Sequence, residues 1–221
     1  KTERLATERN HSATHLMQKA LKTVLGDHVH QAGSSVNPDR MRFDFNHMQA
    51  MTAEEIAQVE ELVNAAIYED YCVDIKEMSI DDAKKLGAMA LFGEKYGDVV
   101  RVVNMGGYSI ELCGGTHVKN TASIGLIKIL HESAVAAGIR RIEAVTGNGA
   151  RLYFSEKEKL LNDTAAALKA SPADAPEKAA SIVAQQKAAA KELDEIKKEM
   201  ASGDVDSLIA NAKEVNGVKV V

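Results

Sequence analysis

Two short motifs place four potential metal ligands in this chain. His11 and His15 are four residues apart, and so are Cys113 and His117. On a helix, residues i and i+4 lie on one face, so the first two imidazoles can reach one point. The Gly-Gly pair inside the second motif lets the backbone turn and bring both side chains to one side. Three imidazoles and one thiolate together suit a tetrahedral Zn²⁺.

The two motifs lie 98 positions apart (113 minus 15), so a shared site would hold distant segments of the chain together. We therefore predict one Zn²⁺ per chain. Four protein ligands are typical of a structural zinc, whereas a catalytic zinc usually keeps one position for water, and the pattern leaves both roles open. In a further alternative, Cys113 is a nucleophile with His117 as its base, although the sequence shows no third residue to orient that base.

Composition allows one large domain, or a domain with an appendage, since 45% of the 221 residues are hydrophobic. The net charge of −5 argues against indiscriminate nucleic-acid binding. That charge is uneven, because residues 54–82 carry ten acidic and one basic residue, whereas the rest of 1–150 carries fifteen basic and ten acidic. A local basic face for a polyanion is therefore compatible with the acidic total.

Cysteine content and hydropathy predict the compartment. Two cysteines cannot form a disulfide framework and indicate a reducing, cytoplasmic setting. The absence of a signal peptide and of an 18-residue apolar stretch predicts no membrane association. The chain begins on Lys1 and ends within what looks like the start of another element, so we expect a piece of a longer protein.

Hydrophobic spacing predicts an α+β domain over 1–150, with mixed or antiparallel sheets packed against helices. A helix over 4–25 carries both histidines of the first motif, and a hairpin of strands 28–36 and 41–45 follows it. Thr52 is expected to cap the next helix, with Glu55 closing a capping box. Further along, the pattern predicts a short helix at 79–86, a loop at 91–97, and strands at 73–78, 99–105, 108–112, 125–130 and 139–145.

Residues 151–203 are predicted to form a helical segment with helices at 151–170 and 176–200. The second helix has a 4-3-4-3-4 spacing typical of a coiled-coil seam, formed by Ile182, Gln186, Ala189, Leu193, Ile196 and Met200. The two helices could fold back as a hairpin or pair between chains as a homodimer, and the sequence favours neither. The helix is expected to end at 202–204, leaving 204–221 as a linker or the start of a further domain.

Two polar residues near the first motif are candidate substrate contacts. Gln31 lies on the strand after the histidine helix, where its amide could bind a small polar ligand. Thr14 lies between the two histidines and could detect a substrate hydroxyl. Alternatively, Thr14 bonds back into its own helix, and Gln31 is an ordinary exposed strand residue.

Several segments resemble, in sequence and in order, the editing domain of the alanyl-tRNA synthetases. They are HSATHL at 11–16, VHQAGS at 29–34, RFDF at 42–45, LCGGTHV at 112–118 and Thr146-Gly147. The resemblance extends to free-standing alanyl-tRNA editing proteins and, more distantly, to the editing domain of threonyl-tRNA synthetases. Residues 151–203 are similar to the segment that follows editing in the synthetases. No segment resembles their catalytic core, so ATP binding and ligation would belong to the full-length enzyme alone.

The resemblance implies an aminoacyl-tRNA ester hydrolase over 1–150. Such domains hydrolyse Ser-tRNA(Ala) and Gly-tRNA(Ala) and spare Ala-tRNA(Ala), so the implied partner is the acceptor end of tRNA(Ala). The implied zinc ligands are the two motif pairs: His11, His15, Cys113 and His117. The competing function is a non-catalytic, zinc-stabilised module for tRNA binding and oligomerisation.

The same resemblance assigns roles to residues outside the ligand set. Gln31 and Thr14 match positions that line the editing pocket, and Cys113 is both a ligand and a catalytic candidate. Asp44 is expected to order the site from behind the ligands. We add Arg140 and Arg141 as candidates for contacts with tRNA phosphates.

Overall fold

The computed structural model describes residues 1–89 and 97–220, which divide into two compact units, Lys1–Ser155 and Glu156–Val221. The first unit is α+β, as predicted. In chain order its elements are α1 (Thr2–Leu25), β1 (Gln31–Val36), β2 (Met41–Asn46), α2 (Ala53–Tyr68), β3 (Val73–Ser79), α3 (Ile80–Lys85), β4 (Val99–Met105), β5 (Ser109–Leu112), a 3₁₀ turn (Thr121–Ile124), β6 (Ile127–Ala136), β7 (Ile139–Thr146) and the start of α4 (Asn148–Ala167). The loop predicted at 91–97 lies, apart from Gly97, outside the described residues.

Two antiparallel sheets form the framework of the first unit. One has four strands in the order β1-β2-β7-β6, and the other has three in the order β3-β4-β5. The predicted hairpin of β1 and β2 is confirmed, with Val36 opposite Met41 at its closed end. Strand β6 runs six residues beyond its predicted end, because pairing with β7 continues through two register shifts although most residues after Leu130 are exposed.

Helix α1 is buried around most of its middle. It contacts the four-stranded sheet, α2 and β5, so apolar and polar side chains alike are covered there. Leu16, Met17 and Leu21 are fully buried against a core that includes Phe43 and Phe45 of β2. This depth removes His15 from bulk water, whereas His11, one turn earlier, is only half-buried.

Helix α2 begins as the sequence predicts. Thr52 Oγ1 accepts a hydrogen bond from the Glu55 amide at 3.1 Å, and Glu55 Oε2 accepts one from the Thr52 amide at 2.8 Å, so the capping box is complete. Ser79 caps α3 in the same way, accepting from the Asp82 amide. Both helix starts therefore satisfy backbone donors that would otherwise lack partners.

The second unit contains the rest of α4, then α5 (Ala175–Ala210), β8 (Lys213–Val215) and β9 (Val218–Val220). The helix end predicted at 202–204 is wrong, since α5 continues to Ala210. One glycine in a helix costs only about 1 kcal/mol relative to alanine, which the flanking helix-forming residues offset. Strands β8 and β9 are joined by Asn216 and Gly217 at φ 54° and 80°, a two-residue hairpin turn. Within the described residues, no helix is both long and apolar enough to cross a membrane.

Thr121 connects the end of α2 to the 3₁₀ turn. It is fully buried, its hydroxyl donates to the Ala66 carbonyl at 2.8 Å, and it accepts from the Tyr71 amide at 2.8 Å. We expect Thr121→Val to lower the free energy of unfolding by about 1–3 kcal/mol, because the new methyl leaves both backbone groups buried without a partner. Urea unfolding followed by circular dichroism measures this.

Thr121→Ser is the matched control, because it keeps the hydroxyl and removes only a methyl group, at a cost of about 1 kcal/mol. A valine variant at least as stable as the serine variant would contradict a structural role for this hydroxyl.

Candidate metal centre

The two predicted halves of the site meet in the structure. His11 and His15 lie on α1, and the centroids of their rings are 5.5 Å apart. His117 packs against both rings, 4.4 Å from His11 and 4.7 Å from His15 between centroids. The ligand atoms of these three histidines and Cys113 all lie within 4.8 Å of one another. The structure thus brings together all four residues that the sequence predicts as metal ligands.

Arg101 on β4 holds the loop that carries Cys113. Its Nη1 donates to the Cys113 carbonyl at 2.6 Å and to the Gly115 carbonyl at 2.7 Å. The Cys113 amide donates in turn to the Arg101 carbonyl at 3.0 Å, which continues the β4–β5 pairing. One guanidinium therefore fixes the backbone on both sides of Gly114, and the direction of the thiol with it.

Gly115 is required because the His11 ring lies against its α-carbon. A β-carbon at position 115 would overlap the ring atoms of His11, whereas one at Gly114 would meet nothing within 4 Å. The second glycine of the motif thus permits close approach of helix and loop, which the sequence analysis attributed to turning of the backbone alone.

The spacing of the donor atoms fits zinc. Cys113 Sγ lies 3.6 Å from His11 Nε2 and 3.4 Å from His117 Nε2. Bond lengths of about 2.0–2.1 Å to nitrogen and about 2.3 Å to sulfur, at a tetrahedral angle, place the two atoms about 3.6 Å apart. The cluster can therefore accept a tetrahedral ion with little movement of its ligands.

In each of the three histidines, Nδ1 faces a protein group outside the cluster, so Nε2 is the nitrogen available to a metal. His11 Nδ1 lies 3.1 Å from the Thr116 carbonyl, which can only accept, so this nitrogen carries the proton. His117 Nδ1 lies 3.2 Å from Ser12 Oγ, which also accepts from the Val118 amide. Contacts of this kind set the tautomer and orientation of metal-binding histidines.

The third imidazole faces a buried acid that the sequence analysis missed. His15 Nδ1 lies 3.2 Å from Glu111 Oε2, although the two groups form no hydrogen bond. Burial raises the pKa of Glu111 to about 8, against the hydrogen bond from Ser109 Oγ, which lowers it. The only signal in the sequence was an acid two residues before Cys113, between Ile110 and Leu112 in a predicted strand.

Burial also sets the charge of the histidines. It lowers the pKa of His15 to about 3 and that of His117 to about 2, with a further decrease from neighbouring imidazoles and Arg101. The pKa of His11 is lowered as well, chiefly by burial, although its bond to the Thr116 carbonyl raises it. Neutral imidazole is the form that binds a metal, so the cluster is ready for coordination at neutral pH.

The structure does supply an orienting group for a Cys113–His117 pair, since Ser12 contacts the far nitrogen of His117. His11 nevertheless lies almost as close to the thiol as His117 does, and His15 completes the same cluster. A nucleophile needs one base, whereas four converging donors are typical of a metal centre. The arrangement therefore favours coordination over nucleophilic attack by Cys113.

The other candidate residues are engaged in local contacts. Thr14 is buried and its hydroxyl donates to the His11 carbonyl at 2.6 Å, which is the alternative that the sequence left open. Gln31 is half-buried at the start of β1, opposite Phe45, and its amide lies 3.3 Å from Ser34 Oγ. Neither contact tests a role toward substrate.

Asp44, Arg140 and Arg141 belong to ion pairs across the four-stranded sheet. Arg141 donates to both carboxylate oxygens of Asp44 at 2.7 Å, and Arg140 donates to both of Glu132 at 2.5 and 2.6 Å. Among the described contacts, Asp44 thus orders a strand pair, and none joins it to a metal ligand.

Comparison with known proteins identifies relatives along the whole chain. The model of the threonyl and alanyl tRNA synthetase second additional domain matches residues 100–143, which include Cys113 and His117. The alanine--tRNA ligase of Acetivibrio thermocellus is 57% identical over 221 residues, or 100% of this chain and 25% of that protein. The ligase of Listeria welshimeri is 52% identical over 221 residues, or 100% of this chain and 25% of that protein. The ligase of Thermoanaerobacter pseudethanolicus is 54% identical over 213 residues, or 96% of this chain and 24% of that protein. The chain thus spans about a quarter of the length of these relatives.

The contact between His11 and Gly115 provides a matched test of the metal centre. We expect Gly115→Ala to weaken zinc binding by at least about tenfold, because the methyl group pushes the His11 ring out of the cluster. Competition with a chromogenic chelator measures the affinity.

Gly114→Ala is the control, because a β-carbon there has open space. Equal zinc affinities for the two variants would show that the ring–glycine contact does not organise the cluster.

Proposed function

Since the chain belongs to the alanine--tRNA ligase family as a homologue of one segment, we propose that it is the editing region. On this proposal it hydrolyses the ester of Ser-tRNA(Ala) and Gly-tRNA(Ala) in the cytoplasm and spares Ala-tRNA(Ala). The observation that carries the proposal is the cluster of three histidines and one cysteine. One half of that cluster lies inside the match to the second additional domain.

The chemical need for a second site supports this function. A pocket built for alanine cannot exclude glycine, which is smaller, and rejects serine only weakly, since serine merely adds a hydroxyl. A separate site can select for that hydroxyl instead. In the proposed site Thr14 remains an acceptor, because its hydroxyl proton is directed to the His11 carbonyl. The Gln31 amide is the second proposed contact.

The donor set would hold one Zn²⁺ through His11, His15, Cys113 and His117. Bound zinc supplies a Lewis acid that can polarise an ester carbonyl or a water. The protein keeps the three imidazoles neutral and oriented, and Arg101 places a fixed positive charge beside them. That charge favours a tetrahedral intermediate, in which the carbonyl oxygen of the ester becomes negative.

Asp44 and the two arginines have supporting roles in this proposal. Asp44 clamps Arg141 across β2 and β7, and β2 pairs with the strand that carries Gln31, so Asp44 positions one wall of the proposed pocket. A guanidinium has five N–H groups, and each arginine directs only two at its carboxylate. The remaining N–H groups of Arg140 and Arg141 can donate to tRNA phosphates.

One observation favours a second function, a non-catalytic module that binds tRNA and is stabilised by zinc. Four protein donors fill a tetrahedral shell, which is typical of structural zinc. Under this alternative the ion joins α1 to the loop at 113–117, and hydrolysis is absent.

Release of serine from Ser-tRNA(Ala) by the intact chain tests the proposal, with Ala-tRNA(Ala) assayed alongside. We expect fast release from the first substrate only. Cys113→Ala should lower the rate by at least about 100-fold, because changes merely next to ligands already cost about 10–100-fold. Cys72→Ala, which removes an exposed cysteine outside the cluster, should keep the full rate.

Circular dichroism and tRNA binding by the Cys113→Ala variant separate the two functions. A folded variant that binds tRNA without hydrolysing the ester supports a catalytic centre. Equal, slow release from both substrates by the unmodified chain, or a Cys113→Ala variant that only unfolds, would favour the structural module.

The coiled-coil stripe of α5 supports a proposed homodimer through residues 151–203. Leu193, Ile196 and Met200 follow the heptad spacing and are 53%, 46% and 66% exposed in the single chain. We expect the sedimentation coefficient to rise with protein concentration, and Leu193→Glu/Ile196→Glu to abolish that rise. The control Lys191→Glu/Lys198→Glu introduces the same side chains on the opposite face of the helix, and a monomer at every concentration would contradict the dimer.

A further inference from the structure

A cavity of about 410 Å³ opens beside the C-terminal half of α1, in the first unit. Its volume lies within the range of sites for small ligands, about 300–1,000 Å³. None of the four metal-centre residues lines it. One wall is α1, and the others come from the segment after α3 and from the turn and first residues of β5, with lining residues that include Lys19, Lys22, Asp27, Met89, Tyr108 and Ile110.

Two lysines of this cavity continue the ligand face of α1. His11, His15, Lys19 and Lys22 are spaced by four, four and three residues, so all four lie on one face of the helix. At 1.5 Å per residue, Lys19 and Lys22 lie about 6 and 10 Å beyond His15 along the axis. A ligand whose end is at the metal centre could therefore extend past both ammonium groups.

Within the described part of the chain neither lysine forms a close ion pair, although Asp27 lines the same cavity and Lys22 acts electrostatically on Glu111. Neither ammonium has a carboxylate oxygen within 4.0 Å, whereas Lys128 lies 2.8 Å from Glu60 and Lys159 lies 2.8 Å from Asp163. Lys22 is half-buried and lines the cavity together with the exposed Lys19. Two such cations about one helical turn apart suit a phosphate group.

The remaining walls suit a sugar and a base. Tyr108 is half-buried, and its ring stacks on Tyr71 with centroids 6.1 Å apart and an interplanar angle of 22°, which fixes its plane. Flat aromatic rings of this kind bind unpaired bases by stacking. Met89 and Ile110 add apolar surface, and Asp27 can accept a hydrogen bond from a ribose hydroxyl or a base amino group.

We propose that this cavity binds one nucleotide of a single-stranded RNA, with its phosphate between Lys19 and Lys22 and its base against Tyr108. The proposal rests on the proposed function only for the origin of the strand, which would be the acceptor end of the tRNA. A free nucleoside monophosphate has the same chemistry and is the other source of the ligand. Inorganic phosphate lacks the base, so it should bind more weakly than either.

Lys19→Gln/Lys22→Gln tests the phosphate contact in the full chain. Fluorescence anisotropy with a labelled single-stranded RNA measures affinity at several salt concentrations, and calorimetry measures binding of AMP and of inorganic phosphate. We expect at least about fivefold weaker RNA binding and a salt slope smaller by about 0.7 for each phosphate that is no longer neutralised. Lys159→Gln/Lys198→Gln is the control, since it removes the same charge from the second unit, where both lysines face aspartates.

Tyr108→Leu tests the base contact separately, because leucine keeps an apolar wall without a ring. We expect roughly fivefold or greater loss of RNA affinity and an unchanged salt slope, as stacking does not depend on ions. Zinc content and circular dichroism identify any variant that has lost its fold. Lys19→Arg/Lys22→Arg keeps both charges, so it should retain the RNA binding that the glutamine variant loses.

Each outcome decides the proposal. Selective loss of RNA and AMP binding in the cavity variants supports a nucleotide site, and loss of RNA binding by a chain that never bound AMP supports a site for the strand alone. Equal losses in the cavity and control variants, or no loss in either, would overturn it. These binding measurements do not depend on hydrolysis. The nucleotide site can therefore be contradicted while editing is observed, and it can be confirmed while editing is absent.

Discussion

The first unit depends on the close approach of α1 to the loop after β5. The His11 ring rests on Gly115, and Arg101 holds that loop by two carbonyl groups. Helix and loop are 98 positions apart in sequence (113 minus 15), and the loop follows β5, a strand of the three-stranded sheet that also contacts α1. The four-residue cluster therefore lies where two segments that are distant in sequence meet.

The close approach of α1 to this loop places polar groups in the buried middle of the helix, and burying each of them has a desolvation cost. Two of them, Asn10 and Ser12, are satisfied by segments far along the chain, whereas Thr14 bonds within its own helix. The Asn10 amide donates to the Asn37 carbonyl at 2.8 Å and accepts from Thr146 Oγ1 at 2.7 Å, and Ser12 accepts from the Val118 amide at 3.1 Å. The same contacts that offset the burial of α1 thus fix its rotation, and with it the direction of both histidines.

Much of this site was predictable because its information is local. Spacings of four residues and a Gly-Gly turn identify the ligands, and Thr52 with Glu55 identifies a helix start. Glu111 was not predictable, since only the packing of β5 against α1 makes its carboxyl a neighbour of His15. The pairing of Asp44 with Arg141 likewise depends on strand register, and the extension of α5 past Gly203 depends on the balance of one glycine against its neighbours.

The face of α1 that carries the ligands also explains how an acidic chain could handle a polyanion. The net charge of −5 repels a polyanion at long range, but residues 54–82 alone carry ten acidic residues and one basic residue. Toward its C-terminal end the face presents Lys19 and Lys22, and behind the cluster Arg101 contributes a third positive charge. Short-range attraction along one helix face, rather than total charge, would then decide where an RNA strand is held.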